Sequence, residues 1–569
     1  MKSIKNIYIG LVVILFTICA CGKLDLNPLS QGSSETWNST PEEIEMSLNG
    51  LYKLSFWMMD QDDWTDDWIY RDALTDITSG TLNGQSGGPD GFIATWWKNT
   101  YKCIARANNL IANVDRAANV LSEEQRNRYT AEARFVRASQ YARLLSHYGH
   151  IVYTETMLDI DEALTAEQAD PAMVLQKIYD DYDFAASNLK STYSSSEVKR
   201  ATAGAALAMK ARIALYMGDW ETAKHAAKAC MDLDIYQLYP DFGELFLSKT
   251  KKSAETVFGF PRSIALNVSK GDCQNYVPRN AGGWGAKAPS WDLFCAFLCT
   301  DGLPIDESPR FNPREPFKNR DPRCAKTIVE FQTPHLGYIY QPHPDSLKVK
   351  NVATGGLVEN RDTRSIAQYA SFNGLLWKKG IDEDWLKNSW QVEPDQIIVR
   401  YADVLLMYAE AKIELGELDA SVIDAINQVR ARAYGVEPAN TAAYPAVVVG
   451  TQDAMRTLVR TERRMEFALE GMRYMDIIRW HLAEKVLNKV NYGMLDVSDL
   501  RTKVIQPKLW FFPQVPAIDE DGVADFSAMY QAGLIKQIAV RKFDASRQYL
   551  WPIPTTEVLT SGLKQNPNY

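Results

Sequence analysis

After its first twenty residues the chain lacks any apolar run approaching the roughly 20 residues that a membrane-crossing helix needs. That excludes a body built of membrane spans. Cysteine is scarce, eight in 569 residues, and a domain this large needs no disulfide framework. Setting aside Cys19 and Cys21 leaves Cys103, Cys230, Cys273, Cys295, Cys299 and Cys324, and fifteen connectivities keep their pairing open. Basic charge is also short: the formal charge is -9, and residues 1–20 hold two lysines and no acid, so the remainder carries -11. An acidic surface argues against nucleic acid or a polyanionic polymer as the main partner.

Catalytic patterns are equally thin. Gly84-Gln85-Ser86-Gly87-Gly88 fits G-x-S-x-G by letter, but a nucleophile elbow needs a strand before it and a helix after it. Polar residues precede it and Pro89-Asp90-Gly91 follows. His147 and His150 flank Gly149 with no third zinc ligand placed by spacing; a histidine favoured by a helix C-terminus accounts for them. Cys295 and Cys299 sit among Leu293, Phe294, Phe297 and Leu298, the pattern of buried thiols on an apolar helical face rather than a metal pair.

What is present begins at the amino terminus. Lys2 and Lys5 precede an apolar stretch from Ile7 to Ile18, which ends in Ile18-Cys19-Ala20-Cys21. This is a secretory signal in three parts, and its last four residues resemble the bacterial lipobox. The resemblance implies cleavage before Cys21 and acylation of that residue; two or more acyl chains anchor stably where one holds only marginally. Residues 1–20 are then signal peptide and 21–39 an extended leader.

The rest is 46% hydrophobic and 11% aromatic over the whole chain, the composition of a well-cored globular protein. Thr40-Pro41-Glu42-Glu43 reads as an N-cap, a first-turn proline and first-turn acids. Helical spacing continues over 96–118, 123–148, 171–189, 200–217 and onward from Gly218, then over 402–415, 420–434 and 453–487. Gly218-Asp219-Trp220 with Ala223 and Ala227 resembles the middle of a tetratricopeptide-like hairpin, and Tyr401 to Arg432 is a weaker copy. The copies lie far apart, so the expected fold is mainly α: a platform of tetratricopeptide-like hairpins with long loop-rich insertions, chiefly over 255–395. Loops of that length are usually functional.

Several strings in register make the resemblance specific. They are Leu48-Asn49-Gly50-Leu51-Tyr52, Asp301-Gly302-Leu303-Pro304-Ile305-Asp306, Asn319-Arg320-Asp321-Pro322-Arg323, Arg400 to Ala411, Ile426 to Arg432, Glu462 to Phe467, Arg473 to Trp480 and Leu550 to Pro554. With them the mature chain resembles the SusD/RagB family of surface nutrient-binding lipoproteins. The resemblance implies a helical region over 40–250 packed with a RagB/SusD-like region over 251–569 as one unit. It also implies an outer-membrane protein that captures an oligosaccharide, or in some members a peptide, as the lid of a SusC-like TonB-dependent transporter. No cofactor and no reaction are implied. Surface display in the family is often marked by acids after the lipid cysteine, whereas Gly22-Lys23-Leu24-Asp25 offers one.

Glycan capture needs flat aromatic faces for the C–H side of a sugar and short polar groups for its hydroxyls. Trp64 and Trp68 with Asp62, Asp63, Asp66 and Asp67 form the first candidate. Trp284, among Ala281, Gly282, Gly283 and Gly285, is the second; Trp96 and Trp291 are the third, with Trp377, Trp385 and Trp390 in reserve. The alternative for each indole is packing, because tryptophan is mostly buried. Asp66 and Asp67 also admit a hydrolase reading as paired carboxylates. The charged run from Arg460 to Arg479 reads as a structural ion-pair network on helices.

Overall fold

The computed structural model describes residues 36–58, 64–70, 91–194, 200–251 and 253–569. The signal segment, Cys21 and the Gly84–Gly88 string lie outside the described residues. So do Asp62 and Asp63.

Helix α1 (Pro41–Leu51) starts as its sequence dictates: the Thr40 side chain accepts from the Glu43 amide, and Ile44, Leu48 and Leu51 face inward. Helix α2 (Phe92–Asn113) buries Ile93, Trp96, Trp97, Ile104 and Leu110 against the next helix. Helix α3 (Glu123–Tyr148) opens with a full capping box between Ser122 and Gln125, and closes at Gly149 with φ of 72°. Such a cap is worth about 1 kcal/mol. Helices α4 (Pro171–Asn188), α5 (Ala203–Tyr216) and α6 (Trp220–Met231) follow, each packed on the one before it. In α5 the buried face is Ala205, Ala206, Ala208, Ala211 and Ala214, small enough for close helix approach. Gly218, at φ of 75°, makes the turn into α6, which Asp219 caps through the Thr222 amide.

The chain then leaves the platform for the loop-rich segment and returns. Strand β1 (Trp68–Tyr70) pairs antiparallel with β3 (Lys287–Pro289), and β2 (Thr256–Phe260) with β4 (Gln396–Arg400). All the sheets described are two-stranded. Helix α7 (Tyr401–Glu414) packs on α6 across the insertion, followed by α8 (Ala420–Ala433) and α9 (Gln452–Glu466). The architecture is thus mainly helical, hairpins forming the platform and loops its other face. No helix among the described residues is long and apolar enough to cross a membrane.

The expectation of one helix over 453–487 is wrong. The helix stops at Glu466, and Leu469 and Gly471 turn back with φ of 62° and 71°. A short helix, α10 (Arg473–Arg479), follows, then another at Ala483–Leu487. The break has a physical use: the freed carbonyl of Glu466 accepts from Arg400 Nη2 at 3.1 Å and Lys379 Nζ at 3.0 Å.

Two cores result. One lies among the helices; the other, under the loops, gathers Trp68, Trp291, Phe294, Trp377, Trp385, Phe511 and Phe512. Between them runs a buried lattice of ion pairs. Arg400 pairs with Glu255, Glu466 and Glu470, each at 2.7 Å. Arg323 reaches Asp321, Glu462 and Glu466, and Arg463 reaches Asp403 at 2.9 Å and Asp476 at 3.0 Å. Burial alone would raise the Glu466 carboxyl, but Arg432, Arg400 and Arg323 together hold it well below the usual carboxylate range. The run Arg460–Arg479 is structural, as its spacing predicted. The six cysteines are free and buried, and burial pushes the Cys103 and Cys324 thiols up to about 12.

Candidate functional site

Where the two cores meet, a solvent-open cleft of about 460 Å³ crosses the surface. Leu54, Trp57 and Met58 of the platform form one side; Trp68, Tyr276, Trp385, Lys270 and Lys287 of the loop face form the other. Glu470 and Gly471, from the turn that ends α9, also line it.

The loop side is assembled by long-range pairing. In the β1–β3 register Trp68 lies opposite Pro289 and Tyr70 opposite Lys287, so Trp68 and Lys287 are diagonal neighbours on one face. The Lys287 ammonium stands 5.8 Å from the Trp68 ring and 5.5 Å from the Tyr276 ring. Lys270 is held by a reciprocal backbone pair with Val392, at 2.8 and 3.0 Å. Its ammonium lies 5.1 Å from Tyr276 and 5.0 Å from Trp385, whose rings meet edge-on at 6.0 Å. Arg262 donates to the Pro394 carbonyl and the Gln396 side chain, and burial draws its affinity for a proton down.

Next to this cleft the 272–286 loop folds back on itself: the Trp284, Gly285 and Ala286 amides donate to the carbonyls of Gln274, Val277 and Asn275. A Cβ on Gly283 would meet the Val277 carbonyl at 2.1 Å, so only glycine fits. Trp284 is 45% exposed, the expected setting for a stacking platform. Trp390 lies over the same loop: a Cβ on Gly282 would stand 3.6 Å from its ring. Trp390 ends a run of three left-handed residues, Asn388, Ser389 and Trp390, at φ of 50°, 54° and 65°. Each costs on the order of 1 kcal/mol, strain of a kind that gathers at ligand sites.

The other sequence candidates are placed differently, and burial corrects them. Trp64 is a core residue, edge-on to Phe92, Tyr474 and Trp551. Trp96 is buried against His147 and Trp551, with the Arg143 guanidinium 4.4 Å over its ring. Trp291 packs on Phe511 and Phe512 and donates its Nε1 to the Asn373 carbonyl. None of the three offers a face to a sugar. Trp68 is buried too, and reaches the cleft only as part of its wall. Asp67 accepts from Arg464 at 2.7 Å, and Asp66 accepts from Arg464 at 2.9 Å and Arg473 at 3.0 Å. Against burial, those guanidiniums hold Asp66 well below the usual range, while burial lifts Asp67 despite Arg464; both carboxylates are enclosed and bonded to Arg464, so the pair is a clamp on that guanidinium.

Of the reserve tryptophans, Trp377 is core, and Trp385, buried like Trp68, reaches the cleft as part of its wall. Tyr276, Lys270, Lys287 and Arg262 were not among the sequence candidates. Their only sequence signal was residence in the long loop segment.

Fold and cleft together define a helical-hairpin platform that carries a loop-built cleft. Comparison with known proteins agrees. The model of the SusD family matches residues 251–569, more than half of the chain, and a second, described as "Starch-binding associating with outer membrane", matches residues 25–215. The chain belongs to the SusD family. SusD-like protein P2 of Formosa agariphila is 26% identical over 99% of this chain and 100% of its own length. A SusD-like carbohydrate binding protein from Bacteroides fragilis superposes with a TM-score of 0.73 at 26% identity, covering 92% of this chain and 99% of that one. A laminarin binding SusD-like protein shares the fold, with a TM-score of 0.63 at 19% identity over 93% of this chain and 100% of that one.

Proposed function

We propose that the protein binds an oligosaccharide in the cleft bounded by Tyr276, Trp385 and Lys287, and delivers it as the lid of a SusC-like TonB-dependent transporter. An acylated Cys21 tethers it to the outer membrane, on the cell surface, and no reaction is catalysed. The observation that carries the reading is the cleft itself, which aromatic and polar side chains line together, with Trp284 exposed on the loop between Tyr276 and Lys287. Family membership and the carbohydrate-binding names of relatives support it. The tether supplies the energetic logic: confined beside its transporter, the binder works at high effective concentration, so modest sugar affinity suffices.

Calorimetric titration of residues 22–569 against oligosaccharides and peptides tests it. Saturable sugar binding, weakened at least about tenfold by Tyr276→Ala, is expected. Turnover of a chromogenic glycan panel above a denatured control contradicts the binding-only reading. Co-purification of the acylated chain with a TonB-dependent transporter checks the lid role. One observation favours a peptide ligand instead: Arg262, Lys270 and Lys287 in the lining suit an acidic peptide, and the same titration separates the two.

A further inference from the structure

We propose that the cleft takes a sugar carrying an acetyl group, N-linked or O-linked, and that a small inner cavity of the platform receives that group. The proposal rests on the cleft being the glycan site and narrows the glycan class. The cavity measures about 80 Å³ and shares Trp57, Met58 and Gly471 with the cleft. Its other walls come from α2, α3 and α5, from Ile398 of β4 and from Met472.

Size, lining and unspent polarity define what fits. The volume admits a group of a few heavy atoms and is too small for a hexose ring. Met58, Met209, Met472, Ile213 and Ile398 supply apolar wall, and methionines adapt to the shape of what they cover. Within that wall two donors are left over. Trp96 is 2% exposed, and its Nε1 has no hydrogen-bond partner among the described residues. Arg212, 8% exposed, donates through Nη2 to Asp403 at 2.7 Å, but its Nε is likewise unpartnered. The other polar side chains of the lining are engaged by the chain itself. Arg143 donates to the Phe56 and Met58 carbonyls, Ser146 donates to the Arg143 carbonyl, and His147 Nδ1 lies 2.8 Å from that same oxygen.

Buried polar groups are hydrogen-bonded with few exceptions, so two orphan donors on one cavity call for an acceptor. Indole and guanidinium N–H groups only donate. The complement of an apolar wall carrying such donors is a methyl beside a carbonyl oxygen, which is an acetyl group. A hydroxyl accepts too, but it brings an O–H donor of its own and gives the methionines nothing to pack on. Water is held well only where it finds two to four polar partners. Trp96 thus acts through its N–H edge, while its ring packs against Arg143 and His147.

The test titrates residues 22–569 with N-acetylated and O-acetylated oligosaccharides, each matched with the same chain bearing hydroxyls in place of its acetyl substituents. The expected result is at least about tenfold preference for an acetylated form over its partner. The arm that shows it identifies the linkage. Trp96→Phe, which removes the N–H and keeps a ring, should abolish the preference. Ile213→Phe, which fills the cavity and leaves the donors, should do the same. Equal binding of acetylated and plain forms overturns this inference, assigns the cavity to water and leaves the glycan reading intact. A preference that survives both variants also overturns it, because the acetyl group is then read elsewhere. Silence across every sugar overturns both. If Trp96→Phe fails to fold, Ile213→Phe and the preference of the native chain still decide.

Discussion

The arginines of the platform and the lysines of the cleft carry the same charge and do opposite things. Arg400, Arg323 and Arg463 are fully enclosed, each facing two or more carboxylates at 2.7–3.0 Å. Lys270 and Lys287 are half-buried and face aromatic rings. A buried guanidinium satisfied by its own chain fixes helices against each other and has nothing to offer a ligand. Lys287, by contrast, adds to its two rings one half-exposed carboxylate, Asp272 at 2.9 Å. Partner type and burial, rather than charge, separate the two regions into scaffold and candidate site.

The sharpest way to break that division is Arg400→Met. It takes from Glu255, Glu466 and Glu470 the cation they share, leaving them Arg432, Arg323 and Lys379, and removal of one partner of a buried pair costs about 3–5 kcal/mol. Denaturant unfolding should show a loss of this size. A loss below about 1 kcal/mol would mean that the lattice is not structural. Next, Trp64→Ala should cost about 3–4 kcal/mol by emptying a packed aromatic site, and sugar affinity measured below the melting point should not change.

Acid provides a third test. Asp66 and Glu466 have folded values depressed below their unfolded ones. Their contribution is complete above the unfolded value, near pH 4, and is lost as pH falls toward the folded values. Each should remove about 2 kcal/mol of stability over that fall, read as the denaturant midpoint at pH 5 and pH 3. An unchanged midpoint would falsify the assignment of these carboxylates to the lattice. The smallest effect belongs to Trp284→Ala: an exposed side chain on a surface loop, it should change stability by no more than about 0.5 kcal/mol while weakening sugar binding.

The platform was legible in the sequence because its determinants are local. Ser122 with Gln125, Asp170 before Pro171, and Gly218 before Asp219 set helix ends through neighbours within a few residues. The break after Glu466 was not legible, since its cause, Arg400 and Lys379, lies 66 and 87 residues away in the chain. The same reason hid the cleft. Lys287 meets Trp68 through a strand pair spanning more than two hundred residues, and Lys270 meets Trp385 through a bridge to Val392. Trp284 was singled out because its small neighbours Ala281, Gly282, Gly283 and Gly285 predict an accessible indole, and the indole is 45% exposed. Trp64 and Trp96 misled because an indole reads the same in a sequence whether its partners are sugars or, as here, Tyr474, Trp551 and His147.

The most direct test of this division is one paired measurement: melting temperature and sugar affinity for Tyr276→Ala and Trp64→Ala side by side. Tyr276→Ala should keep the melting temperature within a few degrees and lose at least about tenfold in affinity. Trp64→Ala should do the reverse. Affinity that survives Tyr276→Ala but falls with Trp64→Ala in the folded protein would place the site on the platform and contradict the account.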